Sequence, residues 1–414
     1  MRKSLICSSV LTFLIALMLS AFAPAPVAAV GTYTYWIADT EIWNDVNNWS
    51  AGIPSPNHSA IIDNDGTALI NDGGLFAEAY TLALGGFDFN CSGTVSHSAG
   101  TLTIEGELGI GNFAASNGTY NLSGTGQLIL LEENYACEVI GLLGVGEFNQ
   151  DGGTHFVGGG LYVTNGTYNL NDGSLTVIFE HIISSLFNIR GGSLVTNDLV
   201  VGSTGTLDVL DSSADIEVKT RMVFYNGSQY SAAAGTVFHM TGTIFENESN
   251  TASDLEGLGN TTFVFEGGES VLDTFEVAGI VNGGFVNNFA LGGLILGGDI
   301  YAGHLQLIDD SYNGSGDNDE GLFVYDLDIH SESSLDVNGL ALYEFGDHTS
   351  SWEHWISEGE LFDSSGASLI PYYDSLNDWT TYALGDYSIP EPGTILLIGC
   401  GLSALAGIVR RKIR

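Results

Sequence analysis

The sequence predicts an all-β chain built as a right-handed parallel β-helix, and three observations carry that expectation. Proline occurs at 24, 26, 54, 56, 371, 390 and 392 and nowhere between 57 and 370. Average usage of about 5% would place about fifteen in those roughly 300 residues. A backbone that must donate nearly every N–H to a sheet ladder has that deficit. Glycine is abundant instead, with 56 in the chain. Asn-Gly and Asp-Gly pairs (Asn117-Gly118, Asp151-Gly152, Asn165-Gly166, Asp172-Gly173, Asn226-Gly227) separate short alternating runs such as Thr101-Leu-Thr-Ile and Ser174-Leu-Thr-Val.

The third observation is a repeat. Gly118-Thr-Tyr-Asn-Leu, Gly146-Glu-Phe-Asn-Gln, Gly166-Thr-Tyr-Asn-Leu, Ser185-Leu-Phe-Asn-Ile and Gly205-Thr-Leu-Asp-Val recur with a period of roughly 20 to 28 residues. Gly-Gly turns follow several of them, as in Asp151-Gly-Gly-Thr-His-Phe and Arg190-Gly-Gly-Ser-Leu. Leu108-Gly-Ile-Gly, Leu143-Gly-Val-Gly and Val200-Val-Gly read as a second recurring strand. A period of this length with strands and no helical segment fits one coil of a parallel β-helix, whose stacked coils bury a continuous core. Antiparallel β-sandwich domains are the competing architecture, and the regular repeat argues against them.

Taken in order, residues 1–29 read as a secretory leader. Arg2 and Lys3 precede an apolar stretch from Leu5 to Phe22, and Val27-Ala28-Ala29 supplies a small-residue cleavage region. Residues 30–62 form an N-terminal cap, 63–345 the repeats, and 346–388 a C-terminal cap and linker. Within that last stretch Trp352 to Gly366 reads as irregular and Asp374 to Ser388 as the linker. All six tryptophans (36, 43, 49, 352, 355, 379) lie at the two ends of the body. Large aromatics can seal the first and last coils, or present a platform to sugar rings.

Residues 389–414 form a sorting and anchoring segment. Pro390, Glu391 and Pro392 precede an uncharged run, 394–409, and the chain ends in Arg410, Arg411, Lys412, Ile413 and Arg414. The run would cover about 24 Å at about 1.5 Å per residue, a short transmembrane helix completed by snorkelling arginines. The basic end stays cytoplasmic and places the body outside the inner membrane. This three-part ending resembles the PEP-CTERM sorting signal of Gram-negative bacteria. The resemblance implies export by the Sec machinery, temporary anchoring, cleavage near the tripeptide by an exosortase, and delivery to the cell surface or exopolysaccharide matrix. The repeats, and the opening Trp36, Trp43, Asn48-Trp49-Ser50, Gly52, Pro54 and Ala60-Ile61-Ile62, resemble the autotransporter-like β-strand repeats of such surface proteins.

Charge restricts what the body can bind. The chain has nine Lys and Arg against fifty Asp and Glu, and only Arg190, Lys219 and Arg221 lie between leader and tail. Nucleic acid is excluded as a partner, because nothing could neutralise its phosphates. Self-repulsion calls for screening salt or bound cations. One segment has calcium-loop spacing: Asp309, Ser311, Asn313, Asp317 and Glu320 fall at positions 1, 3, 5, 9 and 12 of a loop with Gly314 at position 6. That pattern resembles an EF-hand loop, where alternate oxygens wrap the ion. It departs from it at Gly316 and in its strand-like flanks, and a solvated acidic insertion is the alternative.

Enzymatic signatures are lacking. There is no Gly-x-Ser-x-Gly or His-Glu-x-x-His segment, and the histidines are scattered. A carbohydrate-active β-helix enzyme is the rival reading. A uronate lyase needs cations to stabilise its intermediate, and a hydrolase needs two convergent carboxylates. Asp309-Asp310 is the only adjacent Asp pair. The expectation is therefore a non-enzymatic surface protein, a spacer, matrix component or adhesin. Cys91 and Cys137 remain after the ends are removed, either as one disulfide or as two buried thiols.

Overall fold

The computed structural model describes residues 32–384, apart from 87–90, 132–135, 243, 268–271, 282, 299–300 and 312–319. It is mostly β, with one long sheet of many parallel strands, an arrangement consistent with a β-helix.

Each circuit of the chain lays its strands beside the equivalent strands of the next. Asn117–Leu130 pairs in parallel with Ser92–His97 on one side and with Val145–Val157 on the other. Val145–Val157 pairs with Gly166–Ile183, which pairs with Leu186–Ile189 and Ser193–Val201. The series continues in parallel register through Asp215–Phe224, Thr236–Met240, Thr261–Phe265 and Gly293–Leu296 to Leu327–Ile329. The repeats noticed in the sequence are the residues that stack, since Gly118, Gly146 and Gly166 are register partners in turn.

Alternation decides which side chains stack inside. In Asn117–Leu130 every second residue is buried over most of its length. Tyr120, Phe148, Tyr168 and Phe187 therefore fall in one inward column. Their rings lie nearly parallel, with centroids 5.0, 4.6 and 4.8 Å apart, close to the spacing of neighbouring strands. The next residues along form a second ladder, in which Asn188 is itself buried. Asn149, Asn169 and Asn188 each donate a side-chain amide to the asparagine one rung earlier, at 3.0, 2.8 and 2.8 Å. Glycine is required where rungs crowd. A Cβ on Gly146 would lie 2.4 Å from the Ile110 carbonyl oxygen. Gly192 turns between strands at φ 73°, a conformation that disfavours side chains.

Both ends are closed. The edge of the first strand, Thr32–Tyr35, is covered by the segment after the 3₁₀ turn Val46–Asn48. Ser50 N donates to Tyr35 O, Ile37 N donates to Asn48 O, and Trp36 bridges Trp49 in antiparallel fashion. Trp36, Trp43 and Trp49 pack edge-to-face beneath it and are buried. At the far end Trp352, Trp355 and Trp379 are buried as well. All six indoles thus line the ends of the core, and none presents the exposed face a sugar platform needs.

Three expectations need correction. Trp352 to Gly366, read as irregular, overlaps the α-helix Thr349–Glu358, which ends at Gly359 with φ 79°. Its two tryptophans alternate with Ser, Glu and His, so it shows little apolar periodicity, and burial of Trp352 and Trp355 against the stack holds it. The beginning of the expected linker, 374–384, instead supplies Trp379–Leu384, which pairs antiparallel with Leu369–Asp374 and Ala341–Phe345. Finally, Leu143-Gly-Val-Gly is not the strand equivalent to Leu108-Gly-Ile-Gly. The register partners of 108–110 are Glu138, Val139 and Ile140, while Leu143 sits in a turn and is 66% exposed. A buried glutamate at the position of Leu108 hid the true strand from a hydrophobic pattern. Leu108→Ala should therefore cost about 2–5 kcal/mol in urea unfolding, and Leu143→Ala no more than about 0.5 kcal/mol.

Candidate functional site

The calcium-like loop begins where the strand His304–Ile308 ends and finishes at the strand Glu320–Val324. Asp309, Ser311 and Glu320 are described; Asn313 and Asp317 lie outside the described residues. A residue not singled out in the sequence anchors the entry of the loop. Glu276, at the end of Asp273–Glu276, is the register partner of Ile308, one rung earlier. Its carboxylate accepts from Ser311 N (2.7 Å) and Asp310 N (3.1 Å). Burial pushes the Glu276 carboxyl up to about 7; its two backbone hydrogen bonds oppose that rise, and Asp309 and Asp310 add to it. Asp309 is also raised, first by desolvation and then by Asp310. Among the described residues no three His, Cys, Asp or Glu side chains converge as a metal site. Only the partnership across rungs reveals Glu276, and no local motif contains it.

A second concentration of ionisable groups lies inside the stack. His97 Nε2 is 3.0 Å from Gly100 O, an acceptor only, so Nε2 carries the proton and Nδ1 accepts from Tyr120 O–H at 2.9 Å. Burial lowers His97 to about 4, which keeps it neutral at ordinary pH. Two rungs beyond Tyr120, Tyr168 donates to Gln150 Oε1 (2.6 Å), and Gln150 Nε2 donates to Ser174 O (2.9 Å). Tyr168 has spent its hydrogen, so its oxygen must accept from His155 Nδ1–H at 2.9 Å. The other ring nitrogen of His155 faces Glu138 Oε2 at 3.1 Å, and both side chains are sealed from solvent. This pair cannot touch a substrate. It occupies the same interior as the aromatic column, with Phe148 stacked on His155 at 4.7 Å.

His181 completes this interior group, in which Glu138 Oε1 and Oε2 and His155 Nε2 also lack an aligned hydrogen-bond partner. His181 is fully buried, packs edge-on to Phe187 at 4.5 Å, and neither ring nitrogen has a hydrogen-bond partner. Its column neighbours are Leu161 before it and Leu199 after it. Desolvation, reinforced by His155, lowers it to about 3.

Of the two cysteines, Cys91 donates its thiol to Gly86 O at 3.4 Å, and the Cys137 thiol is pushed up to about 12, mainly by burial. The thiol alternative is therefore the one the structure holds. Cations are few and engaged: Arg221 pairs with Asp198 (3.3 Å), Lys219 with Glu217 (3.8 Å), and Arg190 donates to Asn169 (2.9 Å). Pro390, Glu391 and Pro392, and the basic residues Arg410, Arg411, Lys412 and Arg414, lie outside the described residues. Among the described residues no helix is long and apolar enough to cross a membrane. Compared with protein-family models, curated proteins and solved structures, the chain matches none.

Two pH dependences follow from the buried groups. His181 binds a proton readily in the unfolded chain near its usual 6.5 but in the folded chain only near 3, so stability falls as pH drops through that window. His181→Leu should remove that loss and relieve about 1–3 kcal/mol of unpaired burial. The check is a higher thermal midpoint than wild type, with the gap widening from pH 7 to pH 4. Glu276 has the opposite sign. Its folded value lies above its ordinary 4.5, so its contribution weakens as pH rises from there through about 7. Melting curves of Glu276→Gln should be flatter than wild type across that range.

Proposed function

We propose that this chain is an exported, non-enzymatic protein of the cell surface or extracellular matrix, sorted through a PEP-CTERM signal. In this reading the leader 1–29 is removed on Sec export. The helix 394–409 holds the body at the inner membrane until an exosortase cleaves near Pro390-Glu391-Pro392. The freed body, a right-handed β-helix, serves as a spacer, matrix component or adhesin, with exopolysaccharide as the natural surrounding polymer. The observation that carries the proposal is the order tripeptide, uncharged run, basic end within the last residues of the chain. Support also comes from the shortage of cations, which suits an exterior rich in salt and ill suits the cytoplasmic surface of an anionic membrane.

Calcium belongs to this proposal as the cation of the loop 309–320, held by Asp309, Ser311, Asn313, Asp317 and Glu320. A divalent ion there would offset the repulsion among Asp309, Asp310 and Glu276. Calorimetric titration of the full chain with calcium should release heat that Asp309→Ala and Glu320→Ala abolish. An unchanged signal in both variants would remove calcium from the account.

Sorting is tested in the host by fractionation with and without its exosortase. Wild-type protein should be shortened and extracellular. Replacement of Pro390, Glu391 and Pro392 by Ala, or loss of the exosortase, should leave a longer membrane-bound form. Intact chain in the cytosol of wild-type cells, unclipped at both ends, would contradict the proposal. A polysaccharide panel assayed for reducing ends or unsaturated uronates should show no turnover.

A further inference from the structure

One concavity among the described residues lies on the flank of the stack near its C-terminal end. It is a cleft of about 300 Å³ between the 3₁₀ segment Ala252–Asn260, the loop 285–290 and Tyr325. That volume is at the lower end of the roughly 300–1,000 Å³ typical of ligand clefts, enough for one or two sugar rings. We propose that this cleft binds a short neutral segment of a glycan, with the rings of Tyr325 and Phe285 as the stacking surface and Asn260, Asn287 and Glu256 as the hydrogen-bonding rim.

Ring placement is the first support. Tyr325, just past the strand Glu320–Val324, is 38% exposed, and its ring rests on Phe285 at 5.1 Å. Phe285 is fixed from behind by Phe323 at 5.4 Å, Phe345 at 5.5 Å and Trp379 at 6.1 Å. The two rings are tilted 49° to each other, so each offers its own apolar face, of the kind that the C–H side of a pyranose covers.

Backbone strain is the second support. Asn287 and Phe289 hold φ at 53° and 55°, a region that side chains other than glycine rarely adopt. Both line the cleft. Asn288 between them locks the loop: its Oδ1 accepts from Ile280 N (2.7 Å) and its Nδ2 donates to Ile280 O (3.0 Å) and Gly284 O (2.7 Å). Strained residues that the surroundings hold in place gather where a ligand needs a preformed surface. Asn is among the residues that best tolerate this φ, and the exposed Asn287 side chain stands at the cleft.

Charge selects the ligand class. No Lys or Arg lines the cleft, and Glu256 stands at its rim. A uronate or sulfated sugar would meet only repulsion there, while amides and a carboxylate are the usual partners of neutral hydroxyl pairs. The inference deepens the matrix reading, which supplies the polymer the cleft would meet, but the binding itself is measured in isolation from sorting.

The test is calorimetry of the full chain with cellotetraose, maltotetraose and mannotetraose as probes, alongside an alginate tetrasaccharide and a lysine-rich peptide. At least one neutral probe should bind, and Tyr325→Ala should weaken it by about tenfold or more. Asn287→Gly separates binding from folding, because glycine relaxes the backbone at that φ while removing the amide. It should lower affinity and leave the thermal midpoint unchanged or higher. Absence of binding by all three neutral probes at about 10 mM overturns the proposal. So does equal binding by both variants, or preference for the alginate fragment or the peptide. Failure of sorting in cells, with these titrations positive, would count against the function proposed above and leave the cleft intact.

Discussion

Every inward side chain in this molecule has to fit the residues one rung before and one rung after it, because parallel in-register pairing places equivalent residues about 4.8 Å apart. That constraint explains why Tyr120, Phe148, Tyr168 and Phe187 stack with their rings nearly parallel. It also explains glycines within the strands. A glycine such as Gly146 is needed where the chain passes so near the previous rung that a Cβ would strike its carbonyl. Proline is excluded from the interval 57–370 for the same cause, since each missing N–H would break a bond between rungs.

The same constraint makes the buried polar group intelligible. Glu138 and His155 occupy inward positions that neighbouring rungs fill with Leu108, Leu161, Leu128 and Leu175. Sealing a carboxylate and an imidazole in such a column is costly unless they come together, and here Glu138 Oε2 and His155 Nε2 lie 3.1 Å apart, though without the alignment of a hydrogen bond. A slip by one rung would part Glu138 from His155 and leave two sealed polar side chains without each other. We regard register specification as the physical consequence of the pair, because near-identical rungs otherwise offer several pairings of similar energy. Closure of the ends follows a related logic. The edge of Thr32–Tyr35 is covered by Trp49 and Ser50, and at the other end Glu344, buried, accepts from Trp352 Nε1 (2.6 Å) and Leu327 N (3.1 Å), tying the helix to the last rungs.

Much of this was legible in the letters. The proline gap, the Gly-x-Tyr/Phe-Asn repeat and the terminal tryptophans pointed to stacked parallel strands and their sealed ends, because each reflects a demand repeated at every rung. What escaped was non-repetitive. Glu138 broke the apolar pattern and shifted the reading to Leu143, a turn residue of similar lettering. The helix Thr349–Glu358 owes its place to two buried indoles and a glutamate from another strand, a tertiary cause with little local periodicity. At the acidic loop the sequence marked Asp309, Ser311 and Glu320, but Glu276 is distant along the chain and becomes its neighbour only through rung stacking. The cleft beside Tyr325 was likewise invisible, since its walls come from three separate segments.

In-register stacking is tested most directly by paired cysteines on the outer face, with Cys91 and Cys137 first replaced by Ser. Thr119 and Glu147 are register partners, and Glu147 in turn pairs with Thr167. Thr119→Cys with Glu147→Cys, and Glu147→Cys with Thr167→Cys, should each form a disulfide on mild oxidation, since adjacent strands bring Cα atoms within bonding range. Thr119→Cys with Thr167→Cys, two rungs apart, should not. Efficient bridging of that distant pair, with neither adjacent pair joined, would contradict the stacked-rung account.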